Sequence, residues 1–276
     1  MVFEAGSGAT SLSWLPVIRE LSTQCGARLV AYDRLGIGAS DPLAFLRRIS
    51  LVTQVDDLAA VLEALSRTGG RCVLVAHSWG GLLAQIAAWD RPELIAGMVL
   101  VDASHELVMR QMPKKTLYGM LLKRAMWTLP GALGLGRRAL RADSATWAAA
   151  LSDDPDVCAH LTVADLAYYL GRRTLYTKLI GEMRAVMRSA GEIERRRSGP
   201  GAKLPVMPLV VLSSDPEAAE PGLADVVPAL AAKHRELALE VPGARHELVR
   251  EAGHFIQLDR PQVVVDAVRE VLAKIA

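Results

Sequence analysis

The stretch Val73-Leu-Val-Ala-His77-Ser78-Trp79-Gly80-Gly81 predicts a strand that turns sharply into a helix. An apolar, β-rich run leads directly into a serine flanked by small residues. A turn of this kind lifts the serine hydroxyl above the strand ends and leaves little room for neighbouring side chains. Ala76 and Gly80, two positions before and after Ser78, meet that need. Ser78 is therefore the candidate nucleophile; the alternative is an ordinary turn in which Ser78 only caps the helix.

Apolar runs on both sides of this stretch predict further strands. Short apolar runs bounded by turns are typical of buried parallel strands, and here they alternate with helical patterns. The predicted strands are residues 2–6, 28–32, 72–76, 97–101, 206–212 and 246–249, and the predicted helices are residues 15–21, 52–65, 82–89, 223–239 and 263–273. Ser11 or Ser13 would cap the first helix. The alternation predicts an α/β fold, a mostly parallel sheet with helices on both faces.

The pattern changes after Asp102. From about residue 106 to residue 201 the sequence shows only helical periodicity, interrupted by prolines and glycines. We therefore predict one α/β core made of residues 1–106 and 201–276, with a helical cap inserted at residues 107–200. The length of 276 residues suffices for one large domain with such an insertion. Methionines, Trp127 and Trp147 in the cap suit an apolar substrate pocket, although packing of a core explains most of them as well.

The composition argues against several classes of partner and location. The chain has 32 basic and 30 acidic residues, a net charge of +2, so we expect no nucleic-acid partner. We interpret the arginine-rich stretch 172–197 as a solvated helix face or loop rather than as a binding patch for acidic ligands or membrane. Three widely spaced cysteines predict neither a disulfide framework nor a structural zinc site. Neither an uncharged apolar stretch of about 18 residues nor an N-terminal signal pattern occurs, so we expect a cytoplasmic location and no membrane partner.

A second motif, Glu251-Ala-Gly253-His254, offers a base for the serine. The histidine follows a glycine in a predicted loop, between a short strand and a final helix that starts near Pro261. A serine hydroxyl needs a base, and an imidazole titrates near neutral pH. His254 is therefore the candidate general base. We expect the side chain of His77 to point away from the nucleophile, and we interpret the remaining histidines, at positions 105, 160, 234 and 246, as ordinary surface or core residues.

A third motif, Tyr32-Asp33-Arg34-Leu35-Gly36-Ile37-Gly38-Ala39-Ser40, ends a predicted strand with a glycine-rich turn. It lacks the lysine and the spacing of a nucleotide phosphate loop, so we reject that interpretation. Together with Val2-Phe-Glu-Ala-Gly6-Ser7-Gly8, the serine motif and Gly253-His254, it occurs in the order seen in α/β-hydrolase fold proteins. The chain resembles this family over nearly its whole length, and its helical insertion resembles the variable cap of the family.

The resemblance implies roles for individual residues. Ser78 resembles the nucleophile of the family, and His254 resembles its general base. The backbone amide of Trp79 resembles one of the two donors that hold the oxyanion. The second donor of the family comes from the loop after an early strand, where this chain has Ala5-Gly6-Ser7, and the amide of Ser7 is the best match. The histidine that is usual in that loop is absent.

The resemblance leaves two candidates for the acid of a catalytic triad. The family places this acid after the strand that follows the cap, which fits Asp215 with Glu217 nearby, or at the end of the strand before the cap, which fits Asp102. We favour Asp102 because the later strand lacks the expected Gly-x-x-Asp spacing. Either aspartate could instead be a capping or turn residue. Family members usually have one or two antiparallel strands before the strand at residues 2–6, so we also expect a shortened sheet.

These motifs predict a serine hydrolase that cleaves an ester or related acyl bond of a small, largely apolar substrate through an acyl-enzyme intermediate. A first alternative is a proline-type aminopeptidase or amidase, which has a similar serine motif and would need an acidic cap residue, such as Glu182, Glu192 or Glu194, to hold a substrate amine. A second alternative is a non-catalytic small-molecule-binding protein on the same fold. Dehalogenase chemistry needs a carboxylate nucleophile, which Ser78 is not. No metal or organic cofactor is implied, and the oligomeric state stays open.

Overall fold

The computed structural model describes residues 1–41, 49–111, 173–200, 203–219 and 223–275, together with positions 115, 119 and 122. Within these residues, six parallel strands form one sheet in the order β2-β1-β3-β4-β5-β6. The strands are β1 (Val2–Glu4), β2 (Val30–Ala31), β3 (Cys72–His77), β4 (Ile95–Val101), β5 (Leu209–Ser213) and β6 (Arg245–Leu248). The predicted α/β fold class is thus confirmed.

Helices follow or precede the strands along the chain. They are α1 (Leu15–Gln24), α2 (Leu51–Gly69), α3 (Ser78–Asp90), α4 (Glu106–Gln111), α5 (Arg173–Arg197), α6 (Val226–Leu239), α7 (Ile256–Asp259) and α8 (Pro261–Ala273). Short 3-10 helices lie at Ser11–Trp14, Pro92–Leu94 and Pro216–Ala218. Among the described residues, no helix combines the length and the hydropathy needed to cross a bilayer.

Both faces of the sheet are buried, because side chains alternate between two apolar clusters. One cluster joins residues such as Leu74 and Leu100 of the strands to helices α2 and α3. The other joins residues such as Val75 and Val99 to helices α1 and α8. Burial on two sides explains why the central strands are continuous apolar runs rather than alternating ones.

The order of the strands fixes where a ligand can approach the sheet. The connection after β1 leads to β2 on one side, whereas the connection after β3 leads to β4 on the other side. Neighbouring strands whose connections diverge leave a crevice at their carboxyl ends, which is where open parallel sheets bind ligands. Ser78 directly follows β3, and the segment Ala5-Gly6-Ser7 directly follows β1. The two segments therefore lie on opposite sides of this crevice.

The structure changes several predicted boundaries for local reasons. Ser11 and Ser13 do not cap α1: they lie in a 3-10 helix, and Trp14 occupies the N-cap position without a side-chain bond. Ser13 instead donates its hydroxyl to the carbonyl of Thr10 at 2.9 Å. Strand β5 begins three residues later than predicted, directly after Pro208, whose nitrogen cannot donate to a ladder. The strand predicted at 28–32 is reduced to two residues, and it forms the edge of the described sheet.

The predicted cap lies mostly outside the described residues, including Trp127 and Trp147. The described parts of residues 107–200 comprise most of α4, all of α5 and three isolated helical positions, followed by a turn at residues 198–200. The domain boundaries therefore remain a prediction. Within the described part of the arginine-rich stretch, Arg197 is not a solvated residue, because it forms an ion pair with the buried Glu106 and a hydrogen bond to Gln85.

A capping box should stabilise helix α2. Ser50 accepts a hydrogen bond from the amide of Thr53, whose hydroxyl accepts one from the amide of Ser50. We expect Ser50→Ala to lower the free energy of unfolding by about 1 kcal/mol, measured by urea denaturation. The matched control is Ser66→Ala in the same helix, where the hydroxyl bonds only the carbonyl of Glu63 three residues earlier. Equal destabilisation by both substitutions would contradict the capping role.

Candidate active site

Ser78 lies at the abrupt junction between β3 and α3. Its φ of 52° places a non-glycine residue in the left-handed region, which costs on the order of 1–3 kcal/mol and persists only where the surroundings hold it. Gly80 makes room for the turn: a Cβ there would collide with the carbonyl oxygen of Ala5 and lie 2.8 Å from that of Glu4. The serine hydroxyl is thereby held at the carboxyl end of the sheet, as the sequence motif predicts.

The structure brings Ser78, His254 and Asp102 into one hydrogen-bonded chain. The Oγ atom of Ser78 lies 2.9 Å from Nε2 of His254, and Nδ1 of His254 lies 2.6 Å from Oδ2 of Asp102. An ionised carboxylate only accepts hydrogen bonds, so Nδ1 carries the proton and Nε2 is free to accept one from the serine. Ser78 and Asp102 are buried, whereas the side chain of His254 is 42% exposed and faces the opening.

The surroundings of Asp102 favour its ionised form. It directly follows β4 with a φ of 43°, and its carboxylate accepts the backbone N–H of Ser214 at 3.0 Å and the hydroxyl of Ser214 at 3.1 Å. Burial alone would raise the pKa of Asp102, but the hydrogen bond and the charge of His254 outweigh it, and the amide of Ser214 adds to them. The net pKa lies below the usual value. An ionised Asp102 can stabilise a positive charge on the imidazole.

Asp215, the alternative acid, has a different position. Its carboxylate accepts the amide of Glu251 at 2.9 Å and the amide of Glu217 at 3.1 Å, and it caps the 3-10 helix at Pro216–Ala218. These two amides hold its pKa below the usual value. Asp215 therefore anchors the loop that leads to His254, while His254 itself pairs with Asp102. The geometry favours Asp102 as the acid.

The side chain of His77 contacts the backbone and the ring of His254. Its ring lies 4.7 Å from that of His254 and 5.0 Å from that of Phe255, between ring centroids, and its Nε2 lies 2.9 Å from the carbonyl oxygen of His254. Burial, followed by the proximity of His254, lowers the pKa of His77 to about 3. The ring is therefore neutral and donates Nε2–H to that carbonyl. The sequence predicted only that His77 points away from Ser78.

The two segments that carry the predicted oxyanion donors lie next to the nucleophile. A Cβ at Gly6 would lie 3.1 Å from Cβ of Ser78, so the segment with Ser7 passes directly beside it. Trp79 belongs to the first turn of α3, where backbone amides have no acceptor within the helix. The indole of Trp79 is turned inward and donates to Oε1 of Gln54 at 2.6 Å. The roles of the Ser7 and Trp79 amides remain predictions.

Sequence reasoning missed three supports of this site. Ser214 and His77 hold the acid and the base in place, and a buried ionic cluster around Arg34 lies beneath the Ala5-Gly6-Ser7 segment. Arg34 lies in the glycine-rich motif at residues 32–40, and Glu4 is a charged residue in an apolar strand, which is a sequence signal of a buried ion pair. Nothing in the sequence pointed to Ser214. Within the part of the chain that the structure describes, no group of three or more His, Cys, Asp or Glu side chains is arranged to hold a metal ion.

A serine on a strained turn after a central parallel strand defines the class of α/β proteins built around a nucleophile elbow. Residues 1–267 match the family model described as "Alpha/beta hydrolase family", and the chain belongs to this family. The resemblance inferred from the four sequence motifs is thereby confirmed.

Several relatives are known by sequence or structure. Epoxide hydrolase 4 of Mus musculus is 32% identical over 96 residues, which are 35% of this chain and 26% of that protein. Strigolactone esterase RMS3 of Pisum sativum is 31% identical over 106 residues, 38% of each chain. A hydrolase from Pseudomonas aeruginosa aligns in structure over 98% of this chain and 88% of that chain, with a TM-score of 0.60 and 21% identity. The sequence matches span less than half of those curated relatives, and the structural likeness shows the fold alone.

The low pKa of His77 should make the fold sensitive to acid. The native ring stays neutral down to about pH 3, whereas the unfolded ring binds a proton near its ordinary pKa of 6.5. The unfolded state therefore binds more protons between these values, and stability falls as the pH falls, by up to about 1.4 kcal/mol per pH unit from this residue. We expect His77→Gln, which keeps a donor near the position of Nε2, to reduce this dependence.

The measurement is urea denaturation of both proteins at about pH 7.5 and about pH 5. We compare, for each protein, the difference in the free energy of unfolding between the two pH values. Effects of the substitution on packing are the same at both pH values and cancel in this difference. An equal loss of stability in wild type and His77→Gln would contradict a neutral, buried His77.

Proposed function

We propose that this protein hydrolyses an ester or a related acyl bond of a small, largely apolar substrate through an acyl-enzyme on Ser78. One observation carries the proposal: the hydroxyl of a strained, buried serine is hydrogen-bonded to Nε2 of His254, whose Nδ1 is held by an ionised Asp102. This arrangement can remove the serine proton without placing an unpaired positive charge on the imidazole.

In the proposed mechanism, Oγ of Ser78 attacks the substrate carbonyl while its proton passes to Nε2 of His254. The amides of Ser7 and Trp79 hold the oxyanion of the tetrahedral intermediate. The intermediate collapses, and His254 returns the proton to the departing alcohol. His254 then takes a proton from the water molecule that attacks the acyl carbon, and it returns this proton to Oγ of Ser78 as the acid product leaves. Asp102 stabilises the imidazolium in both halves of the reaction.

The chemistry of serine separates this proposal from the activity in the name of the epoxide hydrolase relative. A serine oxygen that opened an epoxide would form an ether, which offers no carbonyl carbon for water to attack. The covalent intermediate would then be a dead end. An ester substrate leaves an acylated serine, which water can cleave, and the name of the plant relative is that of an esterase. Ser78 therefore favours acyl bonds.

The aminopeptidase alternative is less well supported at two of its three candidate residues, Glu182 and Glu194. It requires a free acidic side chain to hold the substrate amine. The carboxylate of Glu182 is fully buried and accepts hydrogen bonds from Arg34, Gln54 and the amide of Gly8. Glu194 forms an ion pair with Arg110. A non-catalytic binding protein would not need the hydrogen bonds that join Ser78, His254 and Asp102, so these bonds do not favour that alternative.

The first test compares wild type with Ser78→Ala on p-nitrophenyl esters from acetate to octanoate. We expect kcat to fall by about 10⁴-fold or more, because the nucleophile is lost. A fluorophosphonate probe should label wild type and leave Ser78→Ala unlabelled. Ser104→Ala is the matched control, since its hydroxyl lies 3.5 Å from that of Ser78, and it should still be labelled. Wild-type protein with neither turnover nor labelling would contradict the proposal.

The second test separates the two candidate acids. Asp102→Asn should lower kcat by about 10⁴-fold, because an amide at this position favours the wrong tautomer of His254. Asp215→Asn should retain kcat within about tenfold, because an asparagine oxygen can still accept from the amides of Glu251 or Glu217. The opposite ranking in steady-state kinetics would show that Asp102 is not the acid.

A further inference from the structure

A buried ionic cluster lies beneath the segment that carries the predicted oxyanion donor. Nη1 of Arg34 lies 2.5 Å from Oε1 of Glu4, and Nε of Arg34 lies 2.8 Å from Oε1 of Glu182. The three side chains are between 0% and 5% exposed. Glu4 comes from β1, Arg34 from the turn after β2, and Glu182 from α5. Three distant parts of the chain are therefore joined by charge at one point.

The cluster is bonded to both sides of the crevice. Oε2 of Glu182 accepts the backbone amide of Gly8 at 2.5 Å, at the end of the segment after β1. Oε1 of the same carboxylate accepts Nε2 of Gln54 at 3.0 Å, and Oε1 of Gln54 accepts the indole N–H of Trp79 at 2.6 Å. One carboxylate from α5 thus contacts the loop on one side and, through Gln54, the residue after the nucleophile on the other.

Arg34 also fixes the direction of two peptide groups. Its Nη1 donates to the carbonyl oxygen of Ala5 and its Nη2 to that of Gly6, each at 2.6 Å. The carbonyl of Gly6 and the N–H of Ser7 belong to the same peptide, and in a trans peptide they point in opposite directions. The guanidinium therefore turns the N–H of Ser7 away from itself. Because Gly6 lies against Ser78, the peptide orientation of this segment bears directly on the nucleophile.

The charges of the cluster depend on one another. Burial lowers the pKa of Arg34, but the carboxylates of Glu182 and Glu4 outweigh it, and the net pKa lies above the usual value. Burial raises the pKa of Glu4 against the opposing effect of Arg34, and the hydroxyl of Tyr32 donates to the second oxygen of Glu4. Buried ion pairs seldom add stability over apolar packing, although removal of one partner is costly. Stability alone therefore does not explain the cluster.

We propose that Arg34 is a positioning residue that orients the oxyanion-binding segment, and that Glu182 makes this orientation depend on the docking of helix α5. The inference rests on the proposed function, because an oriented oxyanion donor matters only for acyl transfer. Arg34 itself touches no reacting atom: it acts through the carbonyls of Ala5 and Gly6. Helix α5 lies at the end of the predicted cap, so the residues that would surround the substrate are tied to the residues that would stabilise the transition state.

The test is Arg34→Lys, which keeps the positive charge between the two carboxylates. An ammonium has three donors at one point, so it cannot also bind both carbonyls as the planar guanidinium does. We expect kcat on the best p-nitrophenyl ester to fall by about 10- to 100-fold, with KM changed by less than about threefold, because a donor displaced by about 1 Å loses most of its effect.

A second readout reports on the oxyanion itself. An ester and its thionoester differ only in the atom that becomes the anion, and sulfur is a larger and weaker acceptor. An ordered donor pair favours the oxygen substrate strongly. We expect the ratio of kcat/KM for ester over thionoester to fall by about tenfold or more in Arg34→Lys, as the donors lose their alignment. A purely structural role for Arg34 would not change this ratio.

Glu182→Gln tests the link to α5, and it should lower the ratio in the same direction. Arg91→Lys is the matched control: Arg91 is partly exposed, pairs with Glu63 and Glu93, and should keep the wild-type ratio. Circular dichroism verifies folding of each variant; if Arg34→Lys does not fold, Glu182→Gln decides the inference alone. A folded Arg34→Lys or Glu182→Gln with the wild-type ratio overturns it, while wild-type turnover stands. A wild type without ester turnover overturns the proposed function and this inference together.

Discussion

The left-handed backbone of Ser78 is the constraint on which the site depends. A φ of 52° at the junction of β3 and α3 turns the chain sharply from strand to helix at one residue. The neighbouring residues must stabilise this strained conformation. The burial of β3 between β1 and β4 provides that stabilisation, and the amide of Ser104 adds a bond of 2.9 Å to the carbonyl of Ser78. The same turn requires Gly80, where a Cβ would collide with the carbonyl oxygen of Ala5. Strain and packing at this turn are therefore one feature.

The remaining groups reach the serine because parallel strands end at the same edge of the sheet. Asp102 follows β4, Ser214 follows β5, and His254 lies in the loop after β6. Each support holds the next one. Ser214 holds Asp102, Asp102 holds one nitrogen of His254, and His77 holds the backbone of His254. The hydroxyl of Ser78 thus meets an imidazole that is fixed in position and in tautomer before any substrate arrives.

The sequence was sufficient for the features that depend on local patterns and insufficient for those that depend on register. Apolar runs predicted the parallel sheet, and two short motifs predicted Ser78 and His254. The acid was harder to assign, because Asp102 and Asp215 each follow a strand, and only the spacing after the later strand favoured Asp102. The pairing of Val101 with Leu212 could not be predicted from the sequence: this register sets Asp102 beside Ser214, and the next residue, Asp215, accepts a hydrogen bond from the amide of Glu251 instead. The sequence named Glu182 only as a possible partner of a substrate amine, because helical periodicity does not distinguish a buried carboxylate from an exposed one.

The buried carboxylates of Asp102 and Glu182 differ in whether the charge of their partner is constant. The partner of Asp102 changes its charge, since the imidazole of His254 gains and loses a proton during the proposed reaction. Glu182 has a permanent partner in Arg34, which stays charged throughout. A permanent ion pair cannot move protons, but it can hold peptide groups at fixed angles, and a buried pair resists replacement because either partner alone is costly. Arg34 therefore needs an acceptor at position 182 to stay paired. The ionic cluster thus ties helix α5 to β1 and to the turn after β2.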